Sequence, residues 1–480
     1  MTPSPASPSR LQLYDTTTRK VEPIDPVEAR HLRVYCCGPT VYRYAHVGNL
    51  RTFMLGDLIR RTAQWHGLRV TVVQNITDVG HMVDDFDADA AGGEDKILQQ
   101  ARTEGRGPLE IARFYEDAFH RDMARLNVMP ADLYPRASES IDLMLDMIAT
   151  LVDRGFAYVG DNGSVFFDAR SFPSYGAISG NRLDALRPGH RFDGPVEPAK
   201  RFHADWALWK HAGERRQLVW DSPWGPGFPG WHIECSAMSL QHLGDAIDVH
   251  TGGIDLRFPH HEDERAQSDA AVGHDVVRHW VHGEHLLFEG RKMAKSTGNV
   301  VLVDDVIARG LDPLALRLAF LGTRYRTQTD LTWAGLDAAH QQLSQWRETV
   351  AQAAEHPSQP RAERYVDEVV AAFSRDLDTP RALQVLRRLL RDPEVPPGAR
   401  FESVAAVDAL FGLDLTREVG RTRPSTTLTP VAQTLIDARA VARSSKDWTE
   451  SDRLRDELAA MGVAVKDTPA GQEWTLSDPH

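Results

Sequence analysis

Three groups of residues in this chain have types and spacings that suit chemistry. The first comprises Cys37, Cys235 and the run Phe258-Pro-His-His-Glu-Asp-Glu264. His260 and Glu264 are four apart and Pro259 can start a helix, so both side chains project from one helical face. That face offers one nitrogen and one oxygen to a shared ion, and Cys37 and Cys235 can add two thiolates. Such a mix suits Zn²⁺ better than calcium or magnesium, which take oxygen. The plain alternative is that each cysteine is a small apolar core residue and the His-His-Glu run is surface. The second group is His46-Val-Gly-Asn49. Gly48 lets an anion approach the backbone, a following helix N-terminus carries partial positive charge, and the imidazole can donate to a phosphate oxygen. Otherwise the group is an incidental turn. The third is Lys292-Met-Ala-Lys-Ser296, followed by Thr297-Gly298-Asn299. Lys292 and Lys295 can clamp a polyphosphate as mobile point charges; the alternative is a solvated charge run.

These groups need elements to position them. Leu32–Cys37 reads as a short buried strand that Gly38-Pro39 breaks. Beyond the loop through His46 and Gly48, apolar Leu50, Phe53, Met54, Leu58 and Ile59 recur at helical spacing, and Gly67 ends that helix. Leu68–Gln74 is the next strand. Strand, loop, helix and strand together open a parallel nucleotide-binding sheet. From about Asp89 to Glu214 helical stretches such as Ile141–Leu151 alternate with β-like pieces such as Gly163–Phe167, the texture of an insertion into that sheet domain. Strand patterns return at Ala246–His250, before Gly252-Gly253, and at His285–Phe288. The lysine pair follows this last strand, where loops of open α/β sheets bind ligands. From Val303 the period is helical. His356–Arg361 and Arg421–Pro430 read as linkers, and Val431–Trp474 reads as a helical pair with a hairpin-like end.

Composition sets the outer limits. The chain has 480 residues, enough for two to four domains on a prior of roughly 100–200 residues each. Its 42% hydrophobic and 26% charged content is that of a globular protein. The opening Met1–Arg10 is a polar Pro/Ser-rich tail without the pattern of a signal peptide, and no stretch has the ~18 apolar residues of a membrane span. A cytoplasmic protein with no membrane partner is the expectation. Three cysteines cannot build a disulfide framework. A net charge of −13 argues against non-specific nucleic-acid binding and leaves room for a specific RNA site.

The second and third groups together resemble the "HIGH" and "KMSKS" signatures of class I aminoacyl-tRNA synthetases, in the right order and separated by an insertion. The first signature departs at Val47 and at Asn49, where the family has His; the second carries Ala294 in place of Ser. Within that class, Cys37-Gly-Pro-Thr-Val-Tyr42, Gly230-Trp-His-Ile-Glu-Cys-Ser-Ala-Met238 and Phe258-Pro-His-His-Glu-Asp-Glu264 resemble, in that order, the motifs of cysteinyl-tRNA synthetases. The resemblance runs from about Leu11 to Trp474.

It implies a Rossmann-like parallel-sheet catalytic domain of α/β class, split by an insertion, then an α-helical bundle and a small anticodon-binding domain. It implies one zinc ion per chain on Cys37, Cys235, His260 and Glu264, with Cys36 outside the pattern and pointing to the other strand face. His46, Asn49, Lys292 and Lys295 would be catalytic, and Gly48 and Gly252 would join them in binding ATP with Mg²⁺. Thr77, Trp231 and Asp255 would hold the cysteine, with Asp255 facing its ammonium group and Trp231 walling the pocket. Without the family, Asp255 reads as a helix N-cap and Trp231 as core. The partners would be tRNA(Cys), L-cysteine and ATP, and the chain a monomer. Zinc would explain how serine is rejected. A pocket that reads only size separates near-isosteres by ~10²-fold, whereas a metal binds a thiolate far better than an alcohol.

The implied division is a disordered tail at 1–10, catalytic halves at 11–115 and 215–300, an inserted connective domain at 116–214, a helical-bundle tRNA-binding domain at 301–420 and an anticodon-recognition domain at 421–480. Arg417, Arg421, Arg423, Arg439, Arg443 and Lys446 near the last domain suit phosphate contacts, or else a solvated helix surface. Two rivals stand beside this reading. One is a relative that joins cysteine to an amino-sugar in thiol biosynthesis, which needs no anticodon domain. The other is a catalytically idle tRNA-binding paralogue, against which the lysine pair and the metal set argue.

Overall fold

A computed structural model describes residues 11–80, 95–186, 199–212, 217–293, 299–421, 430–468 and 471–476. The tail at 1–10, Lys295 and Arg423 lie outside them. The chain divides into two compact units, Met1–Arg417 and Glu418–His480.

The first unit opens with a hairpin, β1 (Gln12–Asp15) and β2 (Lys20–Pro23), then β3 (His31–Cys36), α1 (Val47–Trp65) and β4 (Arg69–Gln74). Next come α2 (Lys96–Glu104), α3 (Pro108–Arg125), α4 (Ile141–Asp153), and strands β5 (Ala157–Val159), β6 (Val165–Phe167), β7 (Trp206–His211) and β8 (Gly227–Pro229). The chain continues through α5 (Trp231–Leu243), β9 (Ile247–Gly253), α6 (His260–Val272), β10 (Val277–Gly283), β11 (Leu286–Phe288) and β12 (Arg291–Lys292). The helical stretch holds α7 (Val303–Ala308), α8 (Leu314–Leu321), a short β13 (Thr329–Leu331), α9 (Trp333–Ala354), α10 (Glu363–Ser374), α11 (Thr379–Arg391) and α12 (Pro397–Phe411).

The central sheet has the order β10-β9-β3-β4, and all three pairings are parallel. From β3 the chain crosses to β4 on one side and later returns to β9 on the other. The strand order therefore reverses beside β3, and ligands of open α/β sheets bind at the carboxyl ends of the strands there. Cys37 stands at that point, one residue past the end of β3. A second, antiparallel sheet, β5-β6-β7-β8, belongs to the inserted segment. Its last strand, Gly227–Pro229, leads through Gly230 directly into α5, which carries Cys235.

Helix α1 is held from several sides. Arg51, 6% exposed, donates to the carbonyls of Glu284, His285, Arg324 and Thr327. Asp57 pairs with the fully buried Arg317 of α8 at 2.6 Å and with Arg61 at 2.9 Å. Burial pushes the Asp57 carboxyl up, but the guanidinium groups of Arg317 and Arg61 outweigh it and hold it below its ordinary value. At the end of β3 the two adjacent cysteines part. Cys36 belongs to the large core under α1, against Gly56, where a methyl would sit 2.5 Å from its sulfur. Cys37 belongs to the cluster with Cys235 and Tyr35 on the other face, as strand alternation requires.

The second unit holds α13 (Pro430–Ser444), α14 (Trp448–Ala460) and an antiparallel hairpin of β14 (Val463–Thr468) with β15 (Gly471–Leu476). Ala432, Ile436, Leu458 and Val463 form its small core. Two of the basic residues suited to phosphate are otherwise engaged. Arg439 is 1% exposed and bonds to the Gln472 side chain. In the first unit, Arg417 pairs with Asp312 at 2.5 Å and Asp414 at 2.7 Å. Arg421 and Lys446 are exposed. No helix among the described residues is long and apolar enough to cross a membrane.

Candidate active site and metal centre

The carboxyl ends of the sheet strands border a cavity of about 260 Å³. Its lining includes Cys37, Asn49, Thr52, Trp231, Gly253 and Asp255, together with Tyr42 and Lys96. Residues some 200 positions apart in sequence are thus brought to one wall.

Cys37, in that lining, converges with Cys235, His260 and Glu264, all buried, with their ligand atoms within 4.8 Å of one another. α5 supplies Cys235. α6 starts after Pro259 and presents His260 and Glu264 one turn apart, with His260 Nε2 2.9 Å from Glu264 Oε1. A second quartet, Cys37, His250, His261 and Glu264, meets the same distance criterion and shares two members with the first. Cys37 Sγ lies 3.2 Å from His261 Nε2 and 3.4 Å from His250 Nε2.

The electrostatics of the cluster fit a cation. Burial pushes the Glu264 carboxyl up to about 7 and the Cys235 thiol up to about 11. The Cys37 thiol is raised well above its ordinary value by burial and by Cys235 and Glu264 beside it. Glu264 Oε2 has no hydrogen-bond partner among the described residues. Three potential anions share one dry site, and a divalent ion is what would let them ionise together. Soft sulfur with nitrogen and oxygen is a zinc-type donor set.

The histidines around this cluster were not singled out from the sequence. His261 Nδ1 is 2.8 Å from His282 Nε2, and His282 Nδ1 is 2.7 Å from the Thr16 hydroxyl. His250 stacks on Trp280 at 4.4 Å, and His232 Nδ1 is 2.8 Å from His260 Nδ1. Their signal was present: His250 precedes Gly252 by two on β9, and His282 pairs with Gly252 in register on β10. Period-two placement puts such residues on one sheet face. Burial holds His250 down to about 4 and His282 down to about 3. Gly252 is explained by these rings, because a methyl there would sit 2.6 Å from the His261 ring.

Above the metal cluster, Trp231 is buried with its ring 4.1 Å from that of His260. Asp255 lies in the first turn of a short 3₁₀ helix after β9 and lines the cavity. Thr77 is fully buried and outside the cavity lining. Its main chain bonds to Pro39 and Val41 and its hydroxyl accepts from Asn75, so it shapes the Gly38–Val41 loop from behind.

The phosphate-type motifs also meet. His46 caps α1, and its Nδ1 accepts from the Asn49 amide. Burial, with Arg43 adding, holds the imidazole down to about 4, so the ring is neutral near pH 7. Lys292 is exposed at the end of β12, and its carbonyl accepts from Asn299 Nδ2 at 3.1 Å. Met293 lies against Gly48, where a methyl would sit 2.8 Å from its terminal carbon, and the Val47 amide donates to the Val301 carbonyl at 2.9 Å. The two motifs, far apart in sequence, abut at the N-terminus of α1.

Comparisons with known proteins agree with this geometry. Residues 23–341 match the family model described as the tRNA synthetases class I (C) catalytic domain, and residues 425–474 match the cysteinyl-tRNA ligase anticodon binding domain. A cysteine--tRNA ligase of Thermus thermophilus is 42% identical, over 97% of this chain and 99% of its own. That of Treponema denticola is 36% identical over the same shares. Among solved structures, the methionyl-tRNA synthetase of Mycobacterium tuberculosis aligns with a TM-score of 0.55 at 13% identity, over 83% of this chain and 95% of that one, a likeness of fold alone. The chain belongs to the cysteine--tRNA ligase family of class I aminoacyl-tRNA synthetases.

Proposed function

We propose that this chain activates L-cysteine with ATP and transfers it to tRNA(Cys), and that Cys37, Cys235, His260 and Glu264 hold a zinc ion that reads the substrate thiol. The observation that carries the proposal is the buried convergence of those four donors, one of which, Cys37, lines a cavity that also borders Asn49 at the α1 N-terminus.

A bound zinc ion would supply a contact that favours a thiolate over an alcohol. The chain's own residues do the rest. Asp255 holds the substrate ammonium and Trp231 bounds the small side chain. A carboxylate oxygen of cysteine attacks the α-phosphorus of ATP, giving cysteinyl-adenylate and releasing pyrophosphate. His46 Nε2–H donates to a phosphate oxygen, while Gly48 leaves the helix N-terminus open to the anion. Lys292 and Lys295, with Mg²⁺, neutralise charge on the triphosphate, so the step relies on positioning and electrostatics rather than a general base. The terminal ribose hydroxyl of tRNA then attacks the acyl carbon and releases AMP.

The quartet with two thiolates is preferred over the one with His250 and His261, because two sulfurs are the softer, more zinc-selective set. The segment 301–420 is assigned to the tRNA body and 421–480 to the anticodon, in a cytoplasmic monomer. The test is cysteine-dependent pyrophosphate exchange and tRNA charging, with zinc measured in the purified protein and in a His250→Gln variant. Exchange, charging and one zinc per chain retained in His250→Gln support the assignment. A zinc-free wild type removes the metal reading, and zinc lost in His250→Gln moves it to the other quartet.

A further inference from the structure

Helix α6 carries three consecutive buried carboxylates, Glu262, Asp263 and Glu264, at 0%, 2% and 1% exposure. Burying one carboxylate is costly, and packing alone would favour apolar residues at such positions. Glu264 faces the proposed metal site. The other two face the inserted segment. Glu262 Oε2 accepts the main-chain amides of Ile178 and Ser179 at 3.1 and 2.8 Å. Asp263 Oδ1 accepts the Tyr175 hydroxyl at 2.6 Å. Farther along the helix, Gln267 accepts the Trp206 indole N–H at 3.1 Å. The insertion therefore grips the helix that presents His260 and Glu264.

One of these contacts continues inward. Asp263 Oδ2 lies 3.4 Å from His232 Nε2, and His232 Nδ1 lies 2.8 Å from His260 Nδ1. A path of polar contacts thus leads from the Tyr175 hydroxyl through Asp263 and His232 to the ring of His260. Partners on the far nitrogen of a metal-bound histidine set its orientation and tune the metal, and removing one typically weakens metal binding or activity about 10–100-fold. We propose that Tyr175 is a positioning residue of the metal centre, supplied by the insertion: it fixes Asp263, and through His232 it fixes the plane of His260. The proposal rests on the reading of His260 as a zinc ligand.

Tyr175→Phe removes only the hydroxyl and keeps the ring stacked on Trp206, 5.6 Å away at 28°. The comparison variant is Tyr158→Phe, which removes another buried hydroxyl of the insertion, one that donates to Asp205 at 2.7 Å and touches no member of the path to His260. Each full-length protein is examined for zinc loss to a chelator, for the absorption of its cobalt(II)-substituted form, and for the KM values of cysteine and ATP in pyrophosphate exchange. Tyr175→Phe should bind zinc about 10–100-fold more weakly, shift the cobalt spectrum and raise the cysteine KM, with the ATP KM within about twofold of wild type. Tyr158→Phe should lower thermal stability without moving the spectrum. An unchanged cobalt spectrum and zinc affinity in Tyr175→Phe would overturn the proposal, as would equal changes in both variants. Absence of zinc from the wild type would instead remove the metal reading on which it rests.

Discussion

The main-chain amide of Asn49 donates to Nδ1 of His46 at 3.2 Å, while the Asn49 side-chain oxygen accepts the His46 amide at 3.2 Å. This reciprocal capping box closes the first turn of α1. It also sets the chemistry of the ring. An accepting Nδ1 leaves the proton of the neutral imidazole on Nε2, as donation to a phosphate oxygen requires. The Asn49 carboxamide oxygen serves the box.

Asn49→Ala should therefore cost helix stability of about 0.5–2 kcal/mol, the usual loss of a cap. It should also lower kcat for pyrophosphate exchange by roughly 10–100-fold, because a loosened ring is misplaced toward its phosphate. Asn49→Gln keeps an oxygen acceptor at this helix position and should recover most of both. Full activity in Asn49→Ala would remove the capping box from catalysis.

The pH dependence of His46 has a definite sign. Its folded value of about 4 lies below the ordinary 6.5, so the unfolded chain takes up the proton first. Stability from the neutral ring is fully present above about 6.5 and is lost as pH falls toward 4. His250, held down to about 4 by burial, acts in the same direction. Ring titration by NMR isolates His46: a midpoint near 4 is expected, and one at 6 or above contradicts the burial argument.

The Asp57–Arg317 pair should be a structural anchor of the catalytic helix. Arg317 also donates to the carbonyls of Phe411 at 2.6 Å and Leu126 at 3.0 Å, so α1, the end of α12 and the turn after α3 share one guanidinium. Asp57→Asn leaves that cation buried without its counter-charge and should destabilise by about 3–5 kcal/mol. Denaturant unfolding measures this; a loss below about 1 kcal/mol would show that the carbonyls alone satisfy Arg317.

The division of the chain after Arg417 predicts separable functions. A protein ending at Arg417 keeps every residue assigned to adenylation. It should retain cysteine-dependent pyrophosphate exchange within about threefold, while charging of tRNA(Cys) falls severely, because base-edge contacts supply sequence recognition. Normal charging by the shortened protein would show that anticodon reading lies elsewhere.

Much of this architecture was legible in the sequence because its signals are local. The buried-strand run Leu32–Cys37, the helical spacing after His46 and the break at Gly67 mark β3, α1 and β4 within a residue or two, save that α1 begins three residues before Leu50. The spacing of His260 and Glu264 on one helical face was legible in the sequence, whereas joining Cys37 and Cys235 to them leaned on motif resemblance, since those two come together through sheet topology that no spacing reveals. Strand β10 escaped notice because Arg278, His279 and His282 interrupt its apolar pattern. His282 is a polar residue buried beside the site, so local pattern and tertiary role disagree there. The pairing of β8 with the insertion's sheet escaped for a similar reason: Gly227–Pro229 is too short to show a period.

The account turns on the claim that the metal, not pocket size, distinguishes cysteine from serine. The most direct measurement is kcat/KM for pyrophosphate exchange with each amino acid, in wild type and Cys235→Ser, with zinc determined on the same preparations. The account predicts that Cys235→Ser loses zinc, that its kcat/KM for cysteine falls by more than about 10²-fold, and that its weak use of serine changes little. The two substrates should then differ only by what shape alone can separate, ~10²-fold or less. A zinc-depleted variant that still prefers cysteine by several orders of magnitude would contradict the account and leave Cys37, Cys235, His260 and Glu264 a structural role.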